Sequence, residues 1–588
     1  MNNIVTPQFH KIPITLGITG HRDLREEDKE ILRNSVRKIF QFIHTNYPNT
    51  PLQLFSPLAD GADRLVAEVA LAENVQLLVP LPMPKELYEI DFQTPDSKQE
   101  FEQLLEKAQV FELPLLEGNT TETVRDYGDA RTLQYALVGA YIARHSHILI
   151  ALWDGIPLDK SGGTSQVVQF KRTGDMMDLP KCYKPQQHGP LDVPDTGPIC
   201  QVVTGRESGE PLDLVGEFKV LLPNNEDKNH LEDLLSSDLA AINRFNHDVT
   251  KHVNCFLLQR RIINGQKYLL SEKRWQDLLT LSPAFQTMLG VHSTANTLAR
   301  FFQNRLRRSS IKVLWLTAAM VGLYGWYSNL ENNPTILIGY LMLFLSAAGL
   351  GWIAKGRHYQ SKRLDYRALA GGLRVQLFWH LGGLSDSVAD YYLCKQRGEL
   401  TWIQSAIRAL NIHDWVENQE NLETIHQKWI VHQREWFSKH AQRNQRKAKK
   451  WGWWKKGFFT LGVVSIVGLL VGQFTGTLQS GEMWHNLLIL LIALAPTAGA
   501  LLHHYTEKMA FDEHAKQYER MVALFSRASD ELKNIMTRLQ QVKDDPIASE
   551  ACQKAAKELL FELGKEVLEN GDWVLFHRKI PLELPKMG

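Results

Sequence analysis

Three short polar segments combine glycine with charged or hydroxyl side chains directly after apolar runs. The apolar runs are ITLGI, LQLFSPLA and HILIALW. The candidate ligand-binding residues in the segments that follow them are Thr19, Gly20, His21, Arg22, Asp60, Gly61, Asp63, Arg64, Asp154, Gly162, Gly163, Thr164 and Ser165. If the apolar runs are parallel strands, these residues meet at one edge of a sheet, where open α/β sheets bind ligands.

The residue types in these segments suit a phosphate-bearing ligand. Glycine lets the backbone approach a phosphate closely, and a helix that begins after Gly163 presents unsatisfied N–H groups to it. Arg22 and Arg64 can each pair with two phosphate oxygens. Asp60 or Asp154 can hold a ribose hydroxyl, and Thr19 and Thr164 add hydroxyl donors.

Each segment also has a purely structural interpretation. A glycine after a strand usually makes a turn, and His21 can be a hydrogen-bonded residue of that turn. Asp63 and Arg64 can be a pair in the first turn of a helix, and Gly-Gly-Thr is common in loops. The convergence of three such segments on one predicted sheet edge favours the ligand site.

The elements that must position these residues alternate between strand-like and helical patterns. The strand-like runs are ITLGIT, LQLFSPL, VQLLVPLP, QVFELPLL, HILIALWDG and ICQVVTGRE. Amphipathic segments with apolar residues every third or fourth position separate most of them. This alternation predicts a Rossmann-like α/β domain with a parallel sheet over residues 1–223.

Composition limits the classes of protein that the chain can belong to. The chain has 588 residues, which predicts two to four domains. Its 66 Lys+Arg balance 65 Asp+Glu, which argues against a nucleic-acid binder. The five cysteines lie far apart and show neither metal-site nor disulfide spacing, so we expect a reducing compartment and no metal. The first residues do not resemble a secretory signal.

Four uncharged apolar stretches in the second half predict membrane helices. They are Val313–Tyr327, Thr335–Ala354, Gly457–Gly476 and Leu487–Leu502. A span takes roughly 17–25 residues, so the first and last stretches are short. Basic segments lie outside each pair and the two connecting loops carry no Lys or Arg, which places both termini in the cytoplasm. Buried core helices are the alternative.

The second half therefore divides into helical segments around two hairpins. We expect a helical connector at 224–308, a first hairpin with cytoplasmic helices at 309–440, and a second at 441–588. The two hairpin segments share a pattern that suggests an internal duplication. Four helices per chain hardly line a wide pore, so we expect a homo-oligomer in the cell (inner) membrane, in contact with lipid.

The motifs GITGHRDL, SPLADGADRLVAEVAL, IALWDG and GGTSQVV together resemble the SLOG superfamily, which includes the LOG phosphoribohydrolases. The resemblance covers about residues 12–220. The paired hairpins resemble SLATT two-helix membrane effectors, on architecture and short patterns such as RLDYRALAGGLR. These resemblances imply a nucleotide-derived signalling ligand, such as an ADP-ribose-like molecule, and a role in bacterial anti-phage defence.

One departure from the LOG pattern argues against catalysis. LOG enzymes carry a glutamate shortly after a Pro-Gly-Gly-x-Gly-Thr loop. Here Gly-Gly-Thr-Ser is followed by QVVQ, and the next carboxylate is Asp175. A general acid/base is missing at that point, so we expect no catalytic residue and no cofactor.

Three functions follow from these observations. The favoured one is a cytoplasmic sensor of a nucleotide second messenger that acts on a membrane effector and permeabilises the inner membrane. The alternative is a membrane-anchored nucleotide or NAD N-glycosidase that uses Asp60, Asp63 or Asp154 as its acid. The third is a scaffold whose sheet edge binds nothing.

Overall fold

The computed structural model describes most of the chain and divides it into two compact units. The described residues are 11–158, 162–176, 178–180, 183–184, 197–223, 227–253, 256–270, 282–329, 333–392, 400–412, 420–478, 482–542 and 544–576. The first unit comprises Met1–Gln266, Lys273–Ala295 and Leu369–Val416. The second comprises Lys267–Glu272, Asn296–Ala368 and Glu417–Gly588.

The first unit is built on a mixed sheet that has eight strands within the described residues. Its order is β4-β3-β2-β1-β5-β6-β7-β8. The strands are β1 Ile14–Gly20, β2 Leu52–Phe55, β3 Gln76–Leu81, β4 Gln109–Glu112, β5 Ile148–Trp153, β6 Ile199–Val203, β7 Phe218–Leu221 and β8 Asp227–Lys228. All six predicted strands are present, and β1 to β6 pair in parallel.

The prediction of a wholly parallel sheet is wrong at one edge. Strands β7 and β8 pair antiparallel to their neighbours, because the connection from β6 to β7 (residues 204–217) contains no helix that could cross over the sheet. Strand β8 also lies beyond residue 223, inside the segment predicted to be a helical connector.

Helices cover the sheet and bury its apolar side chains. Every residue of β5 is buried, as expected for a central parallel strand covered on both faces. Within the first unit the helices before the connector are α1 Lys29–Asn46, α2 Ala62–Ala72, α3 Lys85–Tyr88, α4 Pro95–Leu105, α5 Asp129–His145 and α6 Thr164–Thr173. Short 3₁₀ turns occupy Glu26–Asp28, Glu89–Asp91 and Leu231–Leu234.

Helices from later in the sequence complete the first unit. They include α7 Ser237–Val253 and α8 Phe256–Leu269, with α12 Val388–Tyr391 and α13 Thr401–Leu410. The last residues of α8, from Lys267, belong to the second unit, and two longer helices also have residues in both units: α9 Pro283–Asn329 and α11 Tyr359–Leu381. The segment Leu369–Val416 therefore belongs with the sheet, although its sequence position follows the first predicted hairpin.

The second unit is helical. Besides parts of α9 and α11 it contains α10 Pro334–Gly356, α14 Glu420–Ile425, a π-helical turn at His426–Val431, α15 His432–Phe474, α16 Met483–Met509, α17 Phe511–Gln541 and α18 Pro546–Phe576. The ends of α9 and α10 are in contact, with the rings of Tyr324 and Tyr340 6.3 Å apart. Helices α15 and α16 form a second hairpin, in which Gly462 faces Pro496.

Three helical segments among the described residues are long and apolar enough to cross a membrane. They lie in Pro334–Ile353, Leu422–Phe474 and Met483–Gln541. Their apolar side chains are largely exposed, for example Trp352 at 79%, Phe459 at 70% and Phe474 at 90%. A continuous apolar surface of this kind needs a cover such as lipid, so the chain is membrane-associated.

The prediction of four spans is not confirmed. Val313–Tyr327 is helical, as the last part of α9, but it is not among the segments that qualify. The run is short, covering about 22 Å at ~1.5 Å per residue against a hydrocarbon core of about 30 Å. It also contains two tryptophans and two tyrosines, which suit an interface better than a bilayer centre.

Candidate functional site

The predicted site residues cluster where the order of strands reverses. Strands β1 and β5 are neighbours, and Gly20 at the end of β1 pairs with Leu152 of β5. The chain adds β2, β3 and β4 on one side of β1, and β5 and β6 on the other. This is the topological switch point at which open α/β sheets bind ligands.

Gly20 and Gly61 bring the first two polar segments together by backbone contact. A Cβ at Gly20 would lie 2.4 Å from the Cβ of Ala62. Gly61 has φ +83°, and a Cβ there would lie 2.3 Å from the carbonyl oxygen of Arg22. The N–H of Ala62 donates to the carbonyl of His21 (3.0 Å). Both glycines are therefore required by the crossing of two chain segments, independently of any ligand.

His21 is buried and is used to hold the turn after β5. The N–H of Asp154 donates to His21 Nε2 (3.1 Å), so that nitrogen is unprotonated and the ring is neutral. Burial lowers the pKa of His21, and Arg206 lowers it further while Asp154 opposes both. The 3.3 Å approach of Nε2 to the Asp154 carboxylate is thus not an ion pair, and His21 is not a cationic phosphate ligand.

Asp154 is held by an arginine that the sequence did not single out. Arg206 Nε donates to Asp154 Oδ2 (2.9 Å), and the N–H of Ile156 donates to Oδ1 (2.9 Å). Arg206 lies just beyond β6, in the segment that pairs through a bridge with Leu24. Both carboxylate oxygens of Asp154 therefore have partners within the protein, which leaves the residue less suited to bind a ribose hydroxyl.

Arg22 is exposed and stands over an aromatic ring. Its guanidinium carbon lies 5.6 Å from the ring centroid of Tyr135, an arrangement that keeps the guanidinium plane available to a ligand. Desolvation alone would lower the pKa of Arg22, but attraction to Tyr88, Asp91 and other acidic groups raises it overall. Arg22 is a permanent cation at the sheet edge.

Asp63 lies beside Arg22 and is buried. Desolvation raises the pKa of Asp63 to about 7, although Arg22, the N–H of Ala59 and Arg64 each act to lower it. A carboxyl group that titrates near neutrality is suited to proton transfer. This is the one residue of the predicted site with that property in the part of the chain that the structure describes.

Arg64 and Asp60 pair with each other. The Arg64 side chain is 2% exposed, with NH1 2.8 Å from Asp60 Oδ1 and 2.8 Å from Glu100 Oε2. Its Nε donates to the carbonyl of Leu58 (3.1 Å), and the guanidinium covers the ring of Phe92 at 4.5 Å. Arg64 therefore ties α2 to α4 and does not present its guanidinium at the edge.

The glycine loop before α6 packs on the same edge. Gly162 has φ +71°, and a Cβ there would lie 3.0 Å from both the Ala136 nitrogen and Tyr135 Cβ. Thr164 Oγ1 donates to the carbonyl of Gly20 (2.9 Å), and the N–H of Leu158 donates to Ser165 Oγ (3.1 Å). The preceding Ser161 lies outside the described residues.

The start of α6 retains the features of an anion site, although the hydroxyls of Thr164 and Ser165 form hydrogen bonds within the protein. Gly163 is the N-cap and supplies no side-chain acceptor to the first turn. No acidic residue lies in that first turn. The N–H groups of this turn and the helix dipole therefore attract a negative charge.

A polar cluster that we did not predict forms the wall behind Arg22. Arg131 donates to Asp91 Oδ1 (2.7 Å) and to Tyr135 Oη (2.7 Å), and Tyr135 donates to Asp91. Both Arg131 and Asp91 are nearly inaccessible, at 1% and 3% side-chain exposure. This network fixes the Tyr135 ring against which Arg22 stands.

The sequence does contain a signal for this wall. A helix that precedes a parallel strand starts at the edge where the strands end, and Arg131 and Tyr135 lie one turn apart at the start of α5. The predicted site residues all come from segments that follow or end strands, whereas this wall comes from the start of a crossover helix. Thr19, at the end of β1, is the remaining predicted residue and pairs with Ala151 of β5.

Comparison with known proteins does not assign the chain to a family. No family model matches the sequence, and no curated protein matches it. The strand ends of the sheet and the helices that can span a membrane are therefore the features from which a function can be inferred.

Proposed function

We propose that the chain senses a nucleotide-derived second messenger and transmits its binding to membrane helices that permeabilise the cell membrane. The observation that carries this proposal is the exposed Arg22 at the switch point of the sheet, on the same edge as the Gly162–Thr164 loop that begins α6. A phosphate at the start of α6 would meet backbone N–H groups from one side and a guanidinium from the other.

The charges at this edge favour binding over hydrolysis. Asp154 is held by Arg206, and Asp60 by Arg64. The first turn of α6 carries no carboxylate. The edge therefore combines anion-binding groups with few acids that face a substrate. This agrees with the SLOG-like motifs, which keep the phosphate-binding loop but lack the glutamate of the LOG enzymes.

The helical region suits an effector in the membrane. Three segments can span a bilayer, and the end of α9 lies against α10 as the second helix of a hairpin would. If Val313–Tyr327 also crosses the membrane, both termini lie in the cytoplasm, which agrees with the basic segments that flank the two hairpins. Helices α9 and α11 each continue from the sheet unit into the membrane unit, so they are covalent routes for the signal.

The role in anti-phage defence and the SLATT-like assignment belong to the same proposal. A sensor that opens a membrane must act through a change in equilibrium between two states, which ligand binding biases. Several chains must assemble around one pore, since four helices enclose little space. The small residues at the α15–α16 contact, such as Gly462, allow the close packing that such assemblies use.

Thermal unfolding of the detergent-solubilised full chain tests the sensor. We would use ADP-ribose, its cyclic isomers, NAD and cyclic nucleotides, and compare Arg22→Ala with Arg37→Ala on the partly exposed surface of α1. We expect one ligand to raise the melting temperature of the wild type and of Arg37→Ala, but not of Arg22→Ala. No shift with any ligand would favour the scaffold.

Asp63 supports a second candidate function, an N-glycosidase. Its pKa of about 7 and its position beside Arg22 suit a group that protonates a leaving base. Incubating the full chain with NAD or AMP and measuring free nicotinamide or adenine tests this activity. Release by the wild type and a large loss in Asp63→Asn would establish the enzyme; no release would leave the sensor.

A further inference from the structure

A cavity of about 130 Å³ lies at the edge of the sheet opposite the candidate site. His147 and Pro198, which line it, directly precede β5 and β6, so it lies where these strands begin. The rest of its wall comes from the end of α5, the later part of α6, and the helices α7 and α13. All of these elements belong to the first unit.

Cationic side chains dominate the wall. Arg144, Lys171 and Arg408 line the cavity together with one carboxylate, Asp238. Lys171 is buried, and its Nζ donates to the carbonyls of Ala143 (2.8 Å) and Ser146 (2.6 Å). The charge of Lys171 is therefore fixed at the wall.

Two carboxylates lie near these cations. Asp238 accepts a hydrogen bond from Thr401 (2.8 Å). Asp390, which pairs with Arg144 and lies 3.7 Å from Arg408, is the second acid. Arg144 and Arg408 therefore both lie close to one carboxylate, that of Asp390.

His147 presents a hydrogen-bond donor in this setting. The N–H of Thr15 donates to His147 Nδ1 (3.0 Å), so Nδ1 carries the lone pair and Nε2 carries the proton. Burial lowers the pKa of His147 to about 3, and Lys171 and Arg408 contribute to the lowering. Nε2 is buried and has no hydrogen-bond partner among the described residues.

We propose that this cavity binds a small oxyanion of the inorganic phosphate type. The anion would accept the Nε2–H of His147 and be attracted by Arg144, Lys171 and Arg408, which line the cavity. The cavity volume of about 130 Å³ has room for one phosphate. Ser236 and Ser405 also line the cavity and add polar groups of the kind that bind phosphate.

The position of this second site suits a regulatory role. Helix α7 precedes the first hairpin in the chain and α13 follows it, and both form part of the cavity wall. A phosphate held here would join both helices to the beginning of β5 and β6. It would thus stabilise the sheet unit at a point distant from the strand-end ligand.

The first test compares phosphate with chloride at equal ionic strength in thermal unfolding of the full chain. In His147→Asn the amide oxygen replaces Nδ1 as the acceptor for Thr15, while the Nε2 donor is lost. We expect phosphate to raise the melting temperature of the wild type by about 2–4 °C, and that of His147→Asn by less than a quarter as much. The exposed control His44→Asn should keep the full shift.

A second variant keeps the proposal testable if His147→Asn does not fold. Ser405→Glu places a carboxylate in the cavity and should remove the phosphate response, whereas the exposed Thr121→Glu should retain it. Arg22→Ala should also retain it, which separates this site from the sensor site. A wild type without a phosphate-specific shift, or an undiminished shift in Ser405→Glu, would overturn the proposal.

Discussion

Arg22 and Arg64 illustrate how two arginines in similar sequence contexts take different roles. Each follows a glycine-containing segment after an apolar strand. Arg22 stays exposed above Tyr135, whereas Arg64 is buried among Asp60, Glu100 and Phe92. The difference depends on α4, which supplies Glu100 and Ser97 and lies more than thirty residues away in sequence.

The two arginines should therefore respond differently to truncation. We expect Arg64→Ala to lower the free energy of unfolding by about 2–4 kcal/mol, because several hydrogen bonds and the packing on Phe92 are lost. Arg22→Ala should change it by less than about 1 kcal/mol while removing ligand binding. Urea unfolding of the full chain measures both, and equal losses of stability would contradict the assignment.

Asp63 makes stability depend on pH in a direction that can be predicted. Its pKa rises from an ordinary 3.8 to about 7 in the folded chain. The folded state thus binds more protons between these values, and its stability falls as pH rises from about 4 to 7. Asparagine mimics the protonated acid at every pH.

We therefore expect the difference in stability between Asp63→Asn and the wild type to favour the variant more at pH 8 than at pH 5. Melting temperatures of both proteins at the two pH values test this. The exposed Asp126→Asn is the control for a general effect of charge removal. An Asp63→Asn effect that is the same at pH 5 and pH 8 would show that the carboxyl is not desolvated as described.

At the scale of elements, the local sequence pattern predicts the central strands of the sheet but not its edge strands β7 and β8. Strands β1 to β6 are apolar runs bounded by polar turns, and all were predicted. Strands β7 and β8 have four and two residues with exposed positions, so their sequences carry no periodic signal. They form because β6 offers an open edge to pair with.

Gly61 is a position where both the backbone conformation and a close crossing of two segments require glycine. Both Gly61 and Gly118 have positive φ, but only Gly61 has a neighbouring backbone within reach of a Cβ. We expect Gly118→Ala to cost about 1 kcal/mol through backbone strain, and Gly61→Ala about 3 kcal/mol or more, because α2 must move from the end of β1. Comparable losses in urea unfolding would contradict the close crossing.

The hairpin of α15 and α16 offers a matching pair of glycines. A Cβ at Gly462 would lie 3.4 Å from Pro496, whereas Gly457 has no atom within 4 Å. We expect Gly462→Leu to separate α15 from α16 and to lower the melting temperature in detergent, with Gly457→Leu close to wild type. Equal behaviour of the two variants would show that this contact does not hold the hairpin.

At the scale of the whole molecule, sequence identified the two kinds of architecture but not their boundaries. Charge-free runs between basic flanks predicted the membrane region, and three of the four qualify as spans. Leu369–Val416 belongs with the sheet because its apolar residues, such as the buried Trp379 and Ile403, pack in that unit. The sequence pattern of an amphipathic helix shows that one face is apolar, but it does not indicate which unit that face packs against.

Ligand-dependent leakage from proteoliposomes tests the central claim, that a nucleotide at the sheet edge opens the membrane. The full chain would be reconstituted in vesicles loaded with a small fluorescent dye and exposed to ADP-ribose, its cyclic isomers, NAD and cyclic nucleotides. The account predicts release by the ligand that stabilises the protein, and no release with Arg22→Ala. A ligand that binds through Arg22 yet leaves the vesicles sealed would contradict it.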